Sequence, residues 1–153
     1  MDFAKLYLRE MTINDYDFIF ELWANTDGMG LRSLDDSKEG ISAFLKRNPS
    51  TCFIALDSQK VIGAILCGHD GRRGYIYHTV VSPEYRKQGI GTALVTAATA
   101  ALKKEGITRV CLNVMDSNES GKLFWINQGW EKKDFLGFYS KSITDRENLP
   151  LFN

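Results

Sequence analysis

The chain has 153 residues, 44% of them hydrophobic, and its 19 Lys and Arg residues balance its 19 Asp and Glu residues. This length predicts a single domain, residues 1–153, that buries about two-thirds of its unfolded surface. The balanced charge argues against nucleic acid or an anionic membrane as the main partner. The longest apolar run, residues 61–67, is too short to cross a bilayer, and no signal-type apolar core follows Met1, so a cytoplasmic protein is expected.

The first third of the chain is predicted to contain one strand and two helices. Residues 4–10 are predicted to form the strand, and Thr12 is placed to cap a helix that runs to about Trp23. A loop follows over residues 24–34. Asp36, with Glu39 three residues later, is predicted to open a second helix that stops near residues 48–49.

Three strands are predicted next, over residues 52–56, 61–67 and 75–81, joined by turns at 57–60 and 69–74. Strict alternation along the third strand would put Tyr77 and His78 on opposite faces of the sheet. A bulge in that strand would change this parity. The chain's three cysteines lie singly in apolar strand patterns, which predicts buried free thiols and no metal site; they are Cys52, Cys67 and Cys111.

The segment from Arg86 to Gly91 (RKQGIG) joins the third of these strands to an amphipathic helix that starts at Ile90. A strand that turns through two glycines into a helix leaves free backbone N–H groups at the positive end of the helix dipole. Those groups form a seat for a phosphate or pyrophosphate. Gly89 and Gly91 would let a ligand approach the main chain closely, because neither carries a Cβ.

The spacing of the glycines shows which of the known phosphate-binding motifs this turn matches. A dinucleotide fingerprint needs a third glycine where Leu94 stands, and the chain has no P-loop pattern. The R-x-x-G-x-G pattern resembles the acyl-CoA binding motif of the GNAT N-acetyltransferase superfamily. A second match follows the predicted strand at residues 109–115: Asn118, Trp125, Gly129 and Trp130 occupy the positions of the family's fourth helix. The resemblance covers residues 51–142.

The resemblance implies an α/β (α+β layered) GNAT fold with a mixed central sheet of about 6–7 strands flanked by about 4 helices. The expected order is β-α-α-β-β-β-α-β-α-β-β, with closing strands at residues 130–134 and 136–142 and a loosely held tail from Thr144. It also implies acetyl-CoA as the cofactor. The expected cofactor-binding residues are Val80, Val81, Arg86, Lys87, Gln88, Gly89, Ile90, Gly91, Thr92, Asn118 and Trp125.

For catalysis, the resemblance implies direct attack of an amine on acetyl-CoA in a ternary complex. Presenting a lysine-type amine as the free base near neutral pH costs about 4 kcal/mol, whereas the departing thiolate needs only about 1.5 kcal/mol of assistance. The general base is therefore the more important group. Two candidates remain open, His78 directly or Tyr77 through a water, since imidazole titrates near neutrality.

Trp125 departs from the family pattern, in which a tyrosine commonly protonates the leaving thiolate. An indole N–H is too poor an acid for that step. Trp125 could pack against the pantetheine arm while water acts as the acid, or Tyr139 could replace the missing hydroxyl. Alternatively, the protein is a non-catalytic acyl-CoA-binding regulatory module.

The acceptor is expected to be a primary amine of a small molecule, an amino acid or a peptide. Seven acidic residues lie between Asn14 and Gly40 against two basic ones, which would suit a cationic acceptor. Arg72 and Arg73 could equally hold a substrate carboxylate. The residues expected to shape the acceptor cleft are Trp23, Asp27, Leu31, Asp70, Arg72 and Arg73. Monomer and homodimer are both left open.

Overall fold

A computed structural model describes residues 6–151. Five strands form one sheet in the order β1-β2-β3-β4-β5. Neighbours are antiparallel from β1 to β4, and β5 is parallel to β4. The strands are β1 (Leu6–Glu10), β2 (Phe53–Asp57), β3 (Lys60–His69), β4 (Gly74–Val81) and β5 (Val110–Leu112). The helices are α1 (Tyr16–Ala24), α2 (Lys38–Arg47), α3 (Ile90–Lys104) and α4 (Glu119–Asn127).

Two apolar cores lie on opposite faces of this sheet. On one face, α1 and α2 pack through Ile19, Trp23 and Ile41 against strand residues that include Val80. On the other face, α3 packs through Leu94 and Ala98 against a second set of strand residues. Helices α1 and α2 are therefore separated from α3 by the sheet.

The predicted start of the second helix was one residue too early. Ser37 is the N-cap of α2, and its hydroxyl accepts a hydrogen bond from the Gly40 N–H at 3.0 Å. Asp36 is buried instead, and it faces the sheet, where it bonds His78. Both Asp36 and Ser37 are suitable N-cap residues, and the sequence alone does not tell which of them caps the helix and which faces the sheet.

The sheet has five strands and not the 6–7 that were predicted. Strand β5 covers only three residues of the predicted 109–115, because its pairing with β4 ends at Leu112. In the described chain, residues 130–134 and 136–142 form no strand, since their backbone groups have no partner strand. Residues 4 and 5 of the predicted first strand lie outside the described residues.

The end of the chain is more firmly held than its polar composition predicted. Leu149 and Leu151 exchange backbone hydrogen bonds with residues 31–33, and the Asn148 side chain bonds both Leu34 and Asp35. Leu151 also packs against the core beneath α1 and α2. Residues 148–151 therefore form a short strap across the loop between those helices. No helix within residues 6–151 is long and apolar enough to cross a membrane.

An ion pair between the half-exposed Arg9 and the buried Asp15 fixes the entry to α1. Both Asp15 carboxylate oxygens accept hydrogen bonds from Arg9, at 2.8 and 2.9 Å, and one also accepts from the Thr12 N–H. Burial alone would raise the pKa of Asp15, but the bonds from Arg9 and Thr12 outweigh it and hold that pKa below its ordinary value. The carboxylate therefore stabilises the fold at neutral pH.

We expect Asp15→Asn to lower the free energy of unfolding by about 1–3 kcal/mol at neutral pH. A group whose folded pKa is lowered contributes stability above its unfolded pKa and loses it as the pH falls through the folded value. Urea unfolding at pH 7 and at steps below about pH 4 should show the deficit shrinking with acidity. Glu21→Gln, at an exposed site in the middle of α1, is the control and should change stability by less than about 0.5 kcal/mol. A deficit that is constant with pH would contradict this account.

Candidate active site

The turn between β4 and α3 has the geometry of an anion seat. Gly89, the N-cap of α3, has φ of 84°, and an added Cβ there would meet no atom within 4 Å. Lys87 also has a positive φ, of 62°. Within residues 6–151, the backbone N–H groups of residues 87–92 donate to no protein acceptor. These free donors stand at the positive end of a 15-residue helix, where a phosphate group is favoured.

The other groups of this turn are held in place by neighbouring side chains. Arg86 Nε donates to the Val81 carbonyl at 2.9 Å, which fixes the guanidinium at the end of β4. The Thr92 hydroxyl accepts from Gln128 Nε2 at 2.8 Å, so α4 is tied to the first turn of α3. Gly91 serves this packing, because an added Cβ would lie 3.2 Å from the Phe124 ring. An added Cβ would therefore enter open space at Gly89, whereas at Gly91 it would crowd the Phe124 ring.

Strands β4 and β5 part after Ile76, two residues before His78. They pair only from Gly74 to Ile76 on the β4 side, and β4 is bonded to β3 alone beyond that point. The edge of β4 that faces the opening therefore presents backbone groups without a strand partner in the described chain. Val80 and Val81 border this opening on opposite faces, one in each core. The opening is a route along β4 toward the phosphate turn.

A bulge in β4 decides where the candidate bases point. Leu66 of β3 lies opposite His78 and Cys67 lies opposite Ile76, so Tyr77 is the extra residue. Strict alternation was therefore wrong here. Tyr77 packs against Phe44 of α2 with ring centroids 5.6 Å apart, and His78 packs against Trp23 of α1 at 4.9 Å. Both side chains lie on the face covered by α1 and α2.

His78 forms a buried pair with Asp36. Its Nε2 lies 2.8 Å from Asp36 Oδ1, and the two side chains are 10% and 5% exposed. Asp36 Oδ2 accepts from the Arg32 N–H at 2.7 Å, which holds the carboxylate in position. His78 Nδ1 and Trp23 Nε1 are both buried without a hydrogen-bond partner in the described chain. Unpaired buried polar atoms are costly, so both of these nitrogens, on rings whose centroids are 4.9 Å apart, still require a polar partner.

Tyr77 is less suited to accept a proton. Its ring is half exposed, and within residues 6–151 its hydroxyl has no hydrogen-bond partner. Partial burial, together with the charges of Asp35 and Asp70, raises the pKa of its phenol above the ordinary value. A phenol with a raised pKa is less readily ionised near neutral pH.

Helix α4 places the second set of predicted residues. Asn118 caps the helix by accepting a hydrogen bond from the Gly121 N–H at 2.9 Å, so its Oδ1 is occupied. Trp125 is half buried between Phe124 and Trp130, with ring centroids 4.9 and 5.0 Å away. Tyr139, the other predicted source of a hydroxyl acid, is 94% exposed.

The predicted acceptor residues fall into two groups. Trp23 and Leu31 are core residues, 1% and 2% exposed, and with the exposed Asp27 they line a small pocket that Leu151 closes. The second group is the hairpin after β3, where the Asp70 carboxylate accepts from the N–H groups of Arg72 and Arg73 at 2.8 Å. Asp70 therefore holds the turn, and both arginine side chains remain exposed.

The free negative charge of residues 14–40 is smaller than the count of acidic residues in the sequence implied. Of the seven acidic residues there, Asp15 is paired with Arg9 and Asp36 with His78, and both aspartates are buried.

His69 holds the turn after β3, because its Nδ1 accepts a hydrogen bond from the Gly71 N–H at 3.0 Å. Of the three free cysteines, Cys52 and Cys67 are buried as predicted, and Cys111 on β5 is only partly buried.

Comparison with known proteins identifies the family. The model of the acetyltransferase (GNAT) family matches residues 14–130, more than half of the chain. The chain belongs to the GNAT acetyltransferase family. Members of the family use acetyl-CoA, and the free amides at the start of α3 fit the pyrophosphate of that cofactor. Among the described residues, no group of three or more His, Cys, Asp or Glu side chains could hold a metal ion.

Solved structures share the GNAT fold at low sequence identity. The PaiA N-acetyltransferase of Thermoplasma acidophilum, solved with coenzyme A, is 22% identical, with a TM-score of 0.75 over 86% of this chain and 93% of that one. A possible acetyltransferase from Clostridium difficile 630 is 23% identical, with a TM-score of 0.70 over 91% and 99%. An aminoglycoside acetyltransferase from an uncultured soil metagenomic sample, solved with sisomicin, is 18% identical, with a TM-score of 0.67 over 91% and 98%.

Sequence reasoning missed three residues of this GNAT site. Asp36 was assigned to a helix cap, although it is the partner of His78. Phe124 packs on Gly91, and Gln128 bonds Thr92; neither residue belongs to the motif used for the match. For Phe124, the only signal in the sequence was its position beside Trp125 in an amphipathic helix. Nothing in the sequence indicated that Gln128 would contact the turn.

Proposed function

We propose that this protein transfers an acetyl group from acetyl-CoA to a primary amine, with His78 as the general base and Asp36 as its positioning partner. The observation that carries the proposal is the buried Asp36–His78 pair. The second imidazole nitrogen of His78 has no partner, and His78 lies two residues past Ile76, the last β4 residue that pairs with β5. The cofactor would lie along this opening, with its pyrophosphate on the amides of residues 88–92 and beside Arg86 and Lys87.

Bound acetyl-CoA would supply the activated acetyl group as a thioester. His78, in the tautomer that donates Nε2–H to Asp36, keeps a lone pair on Nδ1. That nitrogen takes the proton from the attacking amine as the new C–N bond forms and the C–S bond breaks. Asp36 stabilises the imidazolium that results. A backbone N–H on the unpaired edge of β4 donates to the developing oxyanion.

The acceptor amine would approach from the face covered by α1 and α2, because both candidate bases point there. The exposed acids on this side, among them Asp27 and Asp35, favour a cationic amine. Arg72 and Arg73 would favour a carboxylate-bearing amine instead. A panel of polyamines, aminoglycosides, amino acids and short peptides, followed by CoA thiol release and mass spectrometry of the product, tests both. Acetylation of a cationic amine supports the proposal, and the absence of any acetylated amine across the panel contradicts it.

Substitutions of Trp125 test whether the protein catalyses acetyl transfer or only binds the cofactor. We expect Trp125→Ala to weaken acetyl-CoA binding by about 3- to 10-fold, since one aromatic contact contributes about 0.5–1.5 kcal/mol. Trp125→Tyr should keep its activity, because water can protonate the thiolate and a hydroxyl adds a second acid. Calorimetry and initial rates measure the two effects, with thermal melts to confirm folding. A tyrosine variant that binds cofactor but is inactive would contradict this role and favour the non-catalytic binding module.

A further inference from the structure

The strap at residues 148–151 is bonded to the loop that leads into the candidate base pair. The Ser33 N–H donates to the Leu149 carbonyl at 2.8 Å, and the Leu151 N–H donates to the Leu31 carbonyl at 2.9 Å. The Leu149 N–H in turn donates to the Ser33 hydroxyl at 2.8 Å. These bonds join the loop to a segment 116 residues further along the chain.

Asn148 binds the next residues of the same loop. Its carbonyl accepts from the Arg32 guanidinium at 2.6 Å, and its Oδ1 accepts from the Leu34 N–H at 3.0 Å. Its Nδ2 donates to Asp35 Oδ2 at 3.0 Å. One amide side chain thus holds a backbone donor and a carboxylate at once, immediately before Asp36.

This loop also sets the direction of the Asp36 carboxylate. The Arg32 N–H donates to Asp36 Oδ2 at 2.7 Å, and the other oxygen, Oδ1, lies 2.8 Å from His78 Nε2. The Tyr16 hydroxyl bonds the Asp36 carbonyl at 2.7 Å and so fixes the main chain, whereas the Arg32 N–H orients the carboxylate. Arg32 therefore contacts the strap through its guanidinium and the base pair through its backbone.

We propose that Asn148 is a positioning residue for the general base, because it holds the loop that orients the Asp36 carboxylate against His78. Its effect on catalysis rests on the proposed function. In the described chain, residues 25–37 form neither helix nor strand. Loops of this kind are more mobile than helices and strands unless other contacts hold them. A misplacement of about 1 Å near a catalytic group can cost about 100-fold in rate, so a loop that orients the base must be held.

The imidazole N–H of His78 reports on this arrangement without any enzyme assay. The chain has two histidines, so the ring N–H region of an ¹⁵N-edited proton spectrum is simple. The His78 side chain is 10% exposed and its Nε2 lies 2.8 Å from Asp36. Its N–H should therefore exchange slowly with water and give a downfield signal. Loss of that signal in His78→Asn assigns it.

Asn148→Asp breaks the contact with Asp35. It replaces the amide donor by a second carboxylate at a separation of 3.0 Å, and two like charges repel. The His78 N–H signal should broaden or vanish, and kcat for the amine should fall by about 10-fold or more. KM for acetyl-CoA should stay the same, because α3 lies on the other face of the sheet. A strap with only a structural role would lower the melting temperature and leave the signal in place.

A second substitution restores the contact with the roles exchanged. In the double variant Asn148→Asp with Asp35→Asn, the new carboxylate accepts from the Leu34 N–H and from the amide at position 35. The signal and kcat should both recover. Asn25→Asp is the matched control, since it makes the same change on an exposed side chain that bonds the Glu21 carbonyl. It should leave the signal unchanged.

The spectrum and the assay separate this inference from the proposed function. Loss of the His78 signal in Asn148→Asp and its return in the double variant support the inference, whether or not an amine is acetylated. A signal that survives Asn148→Asp, or that fails to return in the double variant, overturns it, even if His78→Asn abolishes activity. A wild-type protein without a slowly exchanging His78 N–H also overturns it, because the base pair itself would then be absent.

Discussion

Gly89→Glu should abolish measurable binding of acetyl-CoA while leaving the protein folded. The backbone at Gly89 is left-handed, with φ of 84°, and a side chain there costs about 1–2 kcal/mol. The glutamate would also place a negative charge at the start of α3, where the cofactor's pyrophosphate must bind. Together these effects should lower the affinity by about 100-fold or more.

Gly106→Glu separates the two effects. Gly106 lies just beyond the other end of α3, has φ of 86°, and has nothing within 4 Å of an added Cβ. It therefore imposes the same backbone strain without placing charge at the phosphate seat. Titration calorimetry should show wild-type affinity for Gly106→Glu. Thermal melts should show a loss of stability at least as large as that of Gly89→Glu, because the new carboxylate lies at the negative end of the α3 dipole. If the two variants lost affinity equally, the anion seat would be in the wrong place.

His78→Asn should lower kcat/KM for the amine by about 10²- to 10⁴-fold, the usual contribution of a positioned general base. Its affinity for acetyl-CoA should be unchanged, because His78 lies on the face opposite α3. Asp36→Asn should lower kcat/KM less and should shift the pH profile of kcat/KM. That shift distinguishes a positioning residue from a structural one. Loss of packing alone would lower kcat/KM without moving its pH profile.

Tyr77→Phe is the matched control for the base assignment. It removes only the hydroxyl and keeps the ring that packs on Phe44. Near-normal activity is expected, because the raised pKa of this phenol disfavours its ionised form near neutral pH. A large loss in Tyr77→Phe with little loss in His78→Asn would transfer the role of base to Tyr77 and its water.

The sequence predicted the parts of the fold that depend on local pattern. The strand at residues 75–81, the turn at Arg86–Gly91 and the start of α3 at Ile90 were found almost to the residue, because periodicity and glycine spacing specify them. The direction of His78 was not predictable, since it depends on a bulge opposite Leu66 and Cys67. A bulge is set by pairing between strands and leaves no local signature.

The missing strands have a different physical cause. Residues 130–142 contain the aromatic residues that favour strands, but a strand forms only where another backbone offers hydrogen bonds. Likewise, Asp36 carries a typical capping pattern, but the Arg32 N–H bonds its carboxylate and the Tyr16 hydroxyl bonds its carbonyl, and these contacts hold it beside His78. Tertiary contacts, and not local propensity, decided these elements.

Titration calorimetry of the wild-type protein with acetyl-CoA, CoA and NAD tests the central claim most directly. The account predicts micromolar binding of both CoA species and no binding of NAD, since the turn at residues 86–91 lacks the third glycine of a dinucleotide site. Failure of both CoA species to bind, or equal binding of NAD, would contradict it.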